Sequence, residues 1–560
     1  MLMGLSLLSQ VHGEVAADPA AAAPSPAAAV IAAGVAKLPA PGFDLVPGGA
    51  LLGVTTSSPV AQKHVNAGIS LLHAGWDFEA YRHFCAALGE DPDCLMAYWG
   101  VSLALSRRDP EFGAQQAAAL KQMLALAQAG VGTELERGYA FCLATIFADG
   151  PRPAAEAFQK LAVKFPNETQ AKLFSAILGR GGYNDLGMPT PDQLRAEQSL
   201  RDLLAASPDD RQLLNAYLTI HAEAPDVSAS VVLARKLASL SPEFPPYQHM
   251  LGHYEARAGQ HAAAAAAFGK AVAGYADYMQ VSGVEVYDCP GWVRSRLCQI
   301  DAMHAGGAED AALKSAAELA GMKVEAPRAF SAGGGLLLWE AKTLPARLEL
   351  AAAGKGAAAR ALKALPPVAE VKAMKNPTAA LVFYQGLAIY AEARVAIDGG
   401  KLERASQLAE ALAQTGTHFS GMGETASGQN ARSSWIRAIR GLEAFNAELR
   451  GLIAMAGPES QRGSAFNWFR SAADRDAPAT LTMPQLIPYP LALRLVEYHG
   501  ARVTRHPEAL AGALAAADEA LAARPRNLAV LRAQQAALSA AKDPRAAEVG
   551  ALLKEIAAEK

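Results

Sequence analysis

Small and aromatic residues punctuate this chain at fixed intervals, and the same intervals return in stretches far apart. In "VNAGISLLHAGWDFEAYRHFCAALGEDPD", residues 65–93, they fall at Gly68, Gly75, Ala80, Phe84 and Ala87, with Pro92 closing the stretch. In "FPPYQHMLGHYEARAGQHAAAAAAFGKA", residues 244–271, they fall at Gly252, Gly259, Ala264, Phe268 and Ala271. Both series step by 7, 5, 4 and 3. This spacing predicts two helices, one before and one after the second glycine. The small residues let the helices approach, the aromatic fills the seam, and the proline stops the second helix.

Further copies are marked by their closing prolines: Pro166, Pro208, Pro242 and Pro525. Pro208 and Pro242 stand 34 residues apart, Pro166 and Pro208 stand 42 apart, and Pro92 and Pro166 stand 74 apart, or two periods of 34 and six residues more. The eight extra residues between 166 and 208 fall in the loop "GRGGYNDLGMPTP". From about 305 to 480 the markers thin out, although Gly400 and Ala405 keep the interval of five. "SAGGGLLLW" and "TLTMPQLIPYPLA" read as loops that interrupt the array. No segment alternates as a strand would, so the fold class expected is all-α.

A helix–turn–helix unit of roughly 34 residues resembles the tetratricopeptide (TPR) repeat. The architecture this implies is a right-handed superhelical solenoid of antiparallel helix pairs, kinked near 325–345. Residues 1–40 are set apart as a signal-like segment and Ala/Pro leader, 41–325 as an N-terminal array and 326–560 as a degenerate C-terminal array. More finely, "EDPDCLMAYWGVSLAL" and the H-x-x-x-H of "HMLGHYEARAG" resemble a bacterial TPR family that carries DP-x-C-x-MAYWG and H-x-x-x-H elements and has no established activity. Relatives place a histidine where this chain has Phe78, and a His-Asn pair near "YDCPGW". Any polar or metal site built on those histidines would be incomplete here.

The bulk composition adds limits. The chain has 560 residues, 51% hydrophobic and 19% charged, with a net charge of −3. No basic excess or basic cluster speaks for nucleic acid. A short apolar run followed by Val15-Ala16-Ala17 and an Ala/Pro tract reads as a signal peptide and flexible leader, which makes the protein exported, periplasmic or extracellular. No later stretch suits a bilayer span. Five cysteines, Cys85, Cys94, Cys142, Cys289 and Cys298, form no C-x-x-C pair. They are read as buried thiols, with Cys85–Cys94 or Cys289–Cys298 bridges as the alternative.

Chemistry-bearing motifs are few. His249 and His253 lie four apart and so share one helix face. In TPR folds the first helix of each pair lines the concave groove, which brings Arg257, Arg296 and His304 to the same side. Three readings stay open. The histidines are ordinary helix residues; or the group clamps an acidic peptide or C-terminal carboxylate, with Arg257 and Arg296 as forks; or the pair ligates a divalent metal. The last needs further ligands, for which Glu255, Asp301 and His304 are conceivable. No H-E-x-x-H or phosphate-loop pattern is present; "AAAGKGAAAR" lacks the upstream glycine and the hydroxyl residue. "HFSGMGETASG", 418–428, is the most polar Gly-rich loop, read as an inter-repeat loop. Trp76, Phe84, Tyr98 and Trp99 are read as core. The function expected is a non-enzymatic scaffold or adaptor that binds a protein segment in its groove. The alternative is a metal-binding protein or metal-dependent enzyme using His249 and His253; no other cofactor is implied.

Overall fold

The computed structural model describes residues 25–48, 52–106, 111–184, 187–351, 356–366, 379–424, 429–475, 480–481 and 483–558, without the side chains of 380, 418–424, 429–434 and 523. Among them there is no β-strand, and the only bridges are the isolated Tyr183–Pro189 and Thr480–Met483. Helices follow one another in antiparallel pairs, each packing on the next in the chain. Pro59–His73 pairs with Asp77–Glu90, Pro245–Arg257 with His261–Ser282, and Leu528–Ala540 with Arg545–Ala558 at the end.

The closing prolines act alike. Second helices end at Glu90, Lys164, Ala206, Leu240 and Ala523, each two residues before its proline. The residue between them, Asp91, Phe165, Ser207, Ser241 or Arg524, has φ of −145°, −122°, −141°, −147° or −137°. A following proline ring disfavours the helical region there, so the helix cannot continue. Within pairs, Gly75, Gly259 and Gly400 take φ of 73°, 74° and 71°. In each case the next residue's N–H reaches back across the turn: Trp76 to Leu71 O at 2.9 Å, Gln260 to Glu255 O and Lys401 to Ala396 O at 2.8 Å. A left-handed residue is what this helix ending requires, and glycine adopts it without strain.

The remaining markers form the seams. A Cβ at Gly68 would stand 2.6 Å from the Phe84 ring, and one at Gly100 would stand 2.2 Å from it. Phe84 is therefore clasped between two successive first helices, which gives the glycine of MAYWG its reason. Gly252 faces Phe268 in the same way, at 2.7 Å. Ala80, Ala87, Ala264, Ala271 and Ala405 are fully buried. Trp76, Phe84, Tyr98 and Trp99 are core, at 5, 0, 0 and 1% exposure.

Three loop or leader expectations are corrected. The triple glycine lies in a helix, Ala332–Leu336, which Ser331 caps by accepting from Gly334 N at 3.0 Å. It runs through a wide turn, Leu337–Ala341, into Lys342–Ala351, which contains Pro345. The wide turn ends at the carbonyl a proline four residues on would crowd, so the extra residue relieves that clash. "HFSGMGETASG" is helical to Glu424, and 425–428 lie outside the described residues. The leader from Ser25 onward is packed: Val30 is fully buried, and Tyr81 donates to its carbonyl at 2.8 Å. The signal-like residues 1–24 lie outside the described residues.

All five cysteines are free and buried. Burial pushes the thiols of Cys85 and Cys142 up to about 12 and that of Cys94 to about 11, so they pack as small apolar groups.

The apolar interior has two large clusters, Val30 to Cys289 and Ala329 to Val530, and several smaller ones, among them Val293 to Leu348. Gly252→Ala is expected to lower stability by about 1–3 kcal/mol, because Phe268 must shift. Gly89→Ala, in an exposed helical position with open space around it, is expected to be neutral or slightly stabilising. Denaturant midpoints of the two variants check this; equal midpoints would contradict the seam.

Candidate functional site

The first helices turn a polar stripe toward one another, and one non-helical stretch of the chain, Leu52–Thr56, lies against it, while a second is held by arginines elsewhere in the array. On Pro59–His73, Gln62, Asn66 and Ser70 recur every fourth residue and so share a face. Leu52 is gripped at both main-chain groups: its N–H donates to Asn66 Oδ1 at 3.0 Å and its carbonyl accepts from Gln62 Nε2 at 2.8 Å. Val54 N donates to Gln62 Oε1 at 2.8 Å. Thr55 donates from its N and its Oγ1 to the Glu136 carboxylate, at 2.7 and 2.6 Å, and Thr56 Oγ1 donates to Asp91 Oδ2 at 2.5 Å. Ser70 Oγ donates to Gly48 O at 3.1 Å.

The same stripe then links first helices to each other. Gln212 donates to Ser70 Oγ at 2.9 Å, Gln170 donates to Gln212 Oε1 at 2.8 Å, and Asn215 donates to His73 O at 2.6 Å. The first helices of residues 59–73, 169–179 and 211–221 thus meet in the interior.

The second stretch is "MPQLIPYPL", 483–491, where prolines forbid a helix. Pro484, Leu486, Ile487, Pro488, Tyr489, Pro490 and Leu491 are buried, so their carbonyls need donors from the protein. Arginines supply them. Arg437 donates to Pro484 O at 2.7 Å, Arg347 to Leu486 O at 2.6 Å and Arg524 to Pro488 O at 3.1 Å. Each guanidinium is also bound to a carboxylate: Arg347 and Arg437 flank the fully buried Glu340, at 3.1 and 2.6 Å, and Arg524 grips Asp301 at 2.9 and 3.1 Å. Arg347 is itself 1% exposed, and burial pulls its guanidinium down to about 10. Gly441 makes room for Leu486, whose side chain a Cβ there would meet at 2.4 Å. Tyr489 donates to Glu448 at 2.9 Å beside the Arg494–Glu448 pair at 2.6 Å.

Of the residues singled out by the histidine spacing, His249, Arg257 and Arg296 have partners within the chain, and His249 reaches the segment just before this second stretch. His249 Nε2 faces Leu481 O at 2.9 Å and must donate to it, and Nδ1 lies 2.9 Å from Ser295 Oγ. Both ring nitrogens are therefore occupied. His253 is 5% exposed and its Nε2 has no hydrogen-bond partner. Arg257 donates to Ala222 O and, at 2.7 Å, to Ala224 O, closing the end of the Arg211–His221 helix. Arg296 binds Gln299 at 2.7 Å and Glu318 at 3.6 Å, and His304 is buried. Glu255 pairs with Arg235 at 2.6 Å, and Asp301 is taken by Arg524. Among the described residues, no three His, Cys, Asp or Glu side chains come together as metal ligands. The pair shares a helix face, as the spacing predicts, but the structure does not gather further ligands around it.

Sequence reasoning missed Gln62, Asn66, Glu136, Arg347, Arg437 and Arg524. Polar residues every fourth position on an otherwise apolar helix, and an arginine inside "TLPARLELAAA", were the signals available. Among the described residues, no helix is long and apolar enough to cross a membrane.

No family model and no curated protein matches the chain. Among solved structures it is similar to the TPR domain of P58(IPK), at 14% identity over 74% of this chain and 99% of that one, with a TM-score of 0.17. It is also similar to Naa15/Naa10 bound to HypK-THB, at 13% identity over 89% and 91%, with a TM-score of 0.20. At such scores these likenesses carry no weight; the repeated helix pairs, glycine turns and glycine–aromatic seams define the chain as an all-α, TPR-type solenoid.

The histidines make stability pH-dependent. Burial holds His249 at about 4 and His253 at about 3, against 6.5 when unfolded. The unfolded chain therefore takes up protons first, and the stability these residues carry is whole above pH 6.5 and lost as pH falls toward 4. Below pH 6.5 each contributes a slope of about 1.4 kcal/mol per pH unit. Urea midpoints between pH 7 and 4.5 should fall less steeply in His253→Leu than in the wild type; parallel lines would contradict this.

Proposed function

We propose that the protein is a non-enzymatic TPR-type scaffold whose first-helix face holds an extended segment of a partner protein. One observation supports this reading: two non-helical stretches of the chain are already held largely at main-chain N–H and C=O groups by side chains of several repeats. Such contacts accept many sequences, because every residue offers the same main-chain groups, while a few buried side chains set register. Repeats that each add a donor or an acceptor give a length-dependent grip.

The clamp first expected at His249, His253 and Arg257 is moved by this reading to the polar stripe, since Arg257 already closes a helix end. The exposed first-helix residue Phe141 and the exposed second-helix residue Val163, at 66 and 77% exposure, allow a direct comparison. With a photo-crosslinking phenylalanine at each position in turn, position 141 is expected to yield a defined product mapping to a non-helical partner segment. Products from position 163 alone, or equal products from both, would sink the proposal.

A further inference from the structure

Two histidines of the first helix pair meet beneath the leader. His64, on Pro59–His73, and His83, on Asp77–Glu90, are 7 and 0% exposed, and their Nδ1 atoms lie 2.9 Å apart. Phe43 covers both rings, its centroid 4.8 Å from that of His64 and 5.3 Å from that of His83. The leader is tied down close by, where Arg82 donates to Pro39 O at 2.7 Å.

A contact of 2.9 Å between two ring nitrogens holds one proton and no other number. With none, two lone pairs face each other; with two, a pair of N–H groups collides. On its other side His83 meets acceptors, the Gly42 backbone and Glu79 Oε1, which lies 4.0 Å from Nε2. His83 therefore carries its own proton on Nε2, and its Nδ1 accepts from His64. That leaves His64 Nε2 as the bare nitrogen of the pair. A first proton taken up there keeps the contact intact, as an imidazolium donating to an imidazole. A second proton has no place that does not break it.

The charged groups facing the pair are Lys63, Glu79, Arg82 and Glu90. Glu79 is committed to Arg82 at 2.6 Å and to the Tyr278 hydroxyl at 2.5 Å. Glu90 favours a proton on His64 and Lys63 opposes it. Phe43 offers a new cation little, because its ring already serves the Lys63 ammonium at 3.8 Å. Burial outweighs these charges on both rings, holding His64 below its ordinary 6.5 and His83 at about 3. Part of that burial is the cover provided by Phe43. Linkage is reciprocal, so a side chain that makes the proton harder to take up is held less firmly once the proton is there.

We propose that the His64–His83 pair is a single-proton acid sensor whose charging weakens the docking of the leader at Phe43. The folded value of His64 is depressed, so the stability it carries is whole above pH 6.5 and is lost as pH falls toward that folded value. The stability contributed by Phe43 is accordingly larger at pH 7 than at pH 5.

The test compares the full chain with its Phe43→Ala variant by NMR of labelled histidine side chains, with His64→Gln and His83→Gln assigning the two resonances. Phe43→Ala is expected to raise the pKa of His64 by about 0.5 or more, and the urea midpoint it forfeits is expected to be smaller at pH 5 than at pH 7. Simple packing by Phe43 gives the opposite pattern: a His64 pKa that is unchanged or lower, or a midpoint deficit equal at both pH values, would overturn the proposal. A His83 that takes up a proton above pH 5 would overturn it as well. Should Phe43→Ala not fold, Phe43→Leu, which removes the ring and keeps an apolar side chain, takes its place with the same expected signs and the same contrary results.

Discussion

A carbonyl oxygen buried outside any helix must find a donor or cost the fold dearly, and this requirement organises the centre of the molecule. The stretch 483–491 contains three prolines and cannot coil, yet its apolar side chains draw it inside. His249, Arg437, Arg347 and Arg524 meet the carbonyls of Leu481, Pro484, Leu486 and Pro488. Arginine suits the task because its donors fan out in a plane, serving a carbonyl and a carboxylate together, as Arg524 does with Pro488 O and Asp301. Leu481 packs on the first apolar cluster, Met483 on the middle one, and Leu486, Ile487, Tyr489 and Leu491 belong to the last. One non-helical stretch therefore ties the parts of the array to one another.

The solenoid face is accordingly not an empty trough. Where the first helices of residues 59–73, 169–179 and 211–221 meet, amide side chains are satisfied by each other or by the strap at Leu52–Thr56.

What could be read from sequence is what the chain settles within one repeat. Gly75 and Gly259 mark turns because their backbone must be left-handed; Pro92 and Pro242 mark helix ends because of what they do to the preceding residue. Gly68 with Phe84, and Gly252 with Phe268, mark seams because only glycine lets the ring so close. The triple glycine misled, since glycine favours loops on local grounds, whereas here Ser331 caps it and the packing of Gly333 and Gly334 needs backbone contact. The leader misled for a similar reason: composition suggested flexibility, but Val30 and Tyr81 dock it. The long-range contacts lay beyond reach, because Glu136 meets Thr55 across 81 residues and Arg347 meets Leu486 across 139. Helical spacing put His249 and His253 on one face but could not say that Leu481, 232 residues on, would meet that face.

Differential scanning calorimetry of Arg437→Met/Arg524→Met tests most directly whether the 483–491 stretch unites the array. The substitutions leave the Pro484 and Pro488 carbonyls and the Asp301 and Glu340 carboxylates short of donors, a loss of several kcal/mol by the usual cost of breaking buried pairs. The account predicts that the main transition falls well below that of the wild type and separates into two, as the two large clusters melt apart. A single transition within about 1 °C of the wild type, far less than such a loss implies, would contradict it.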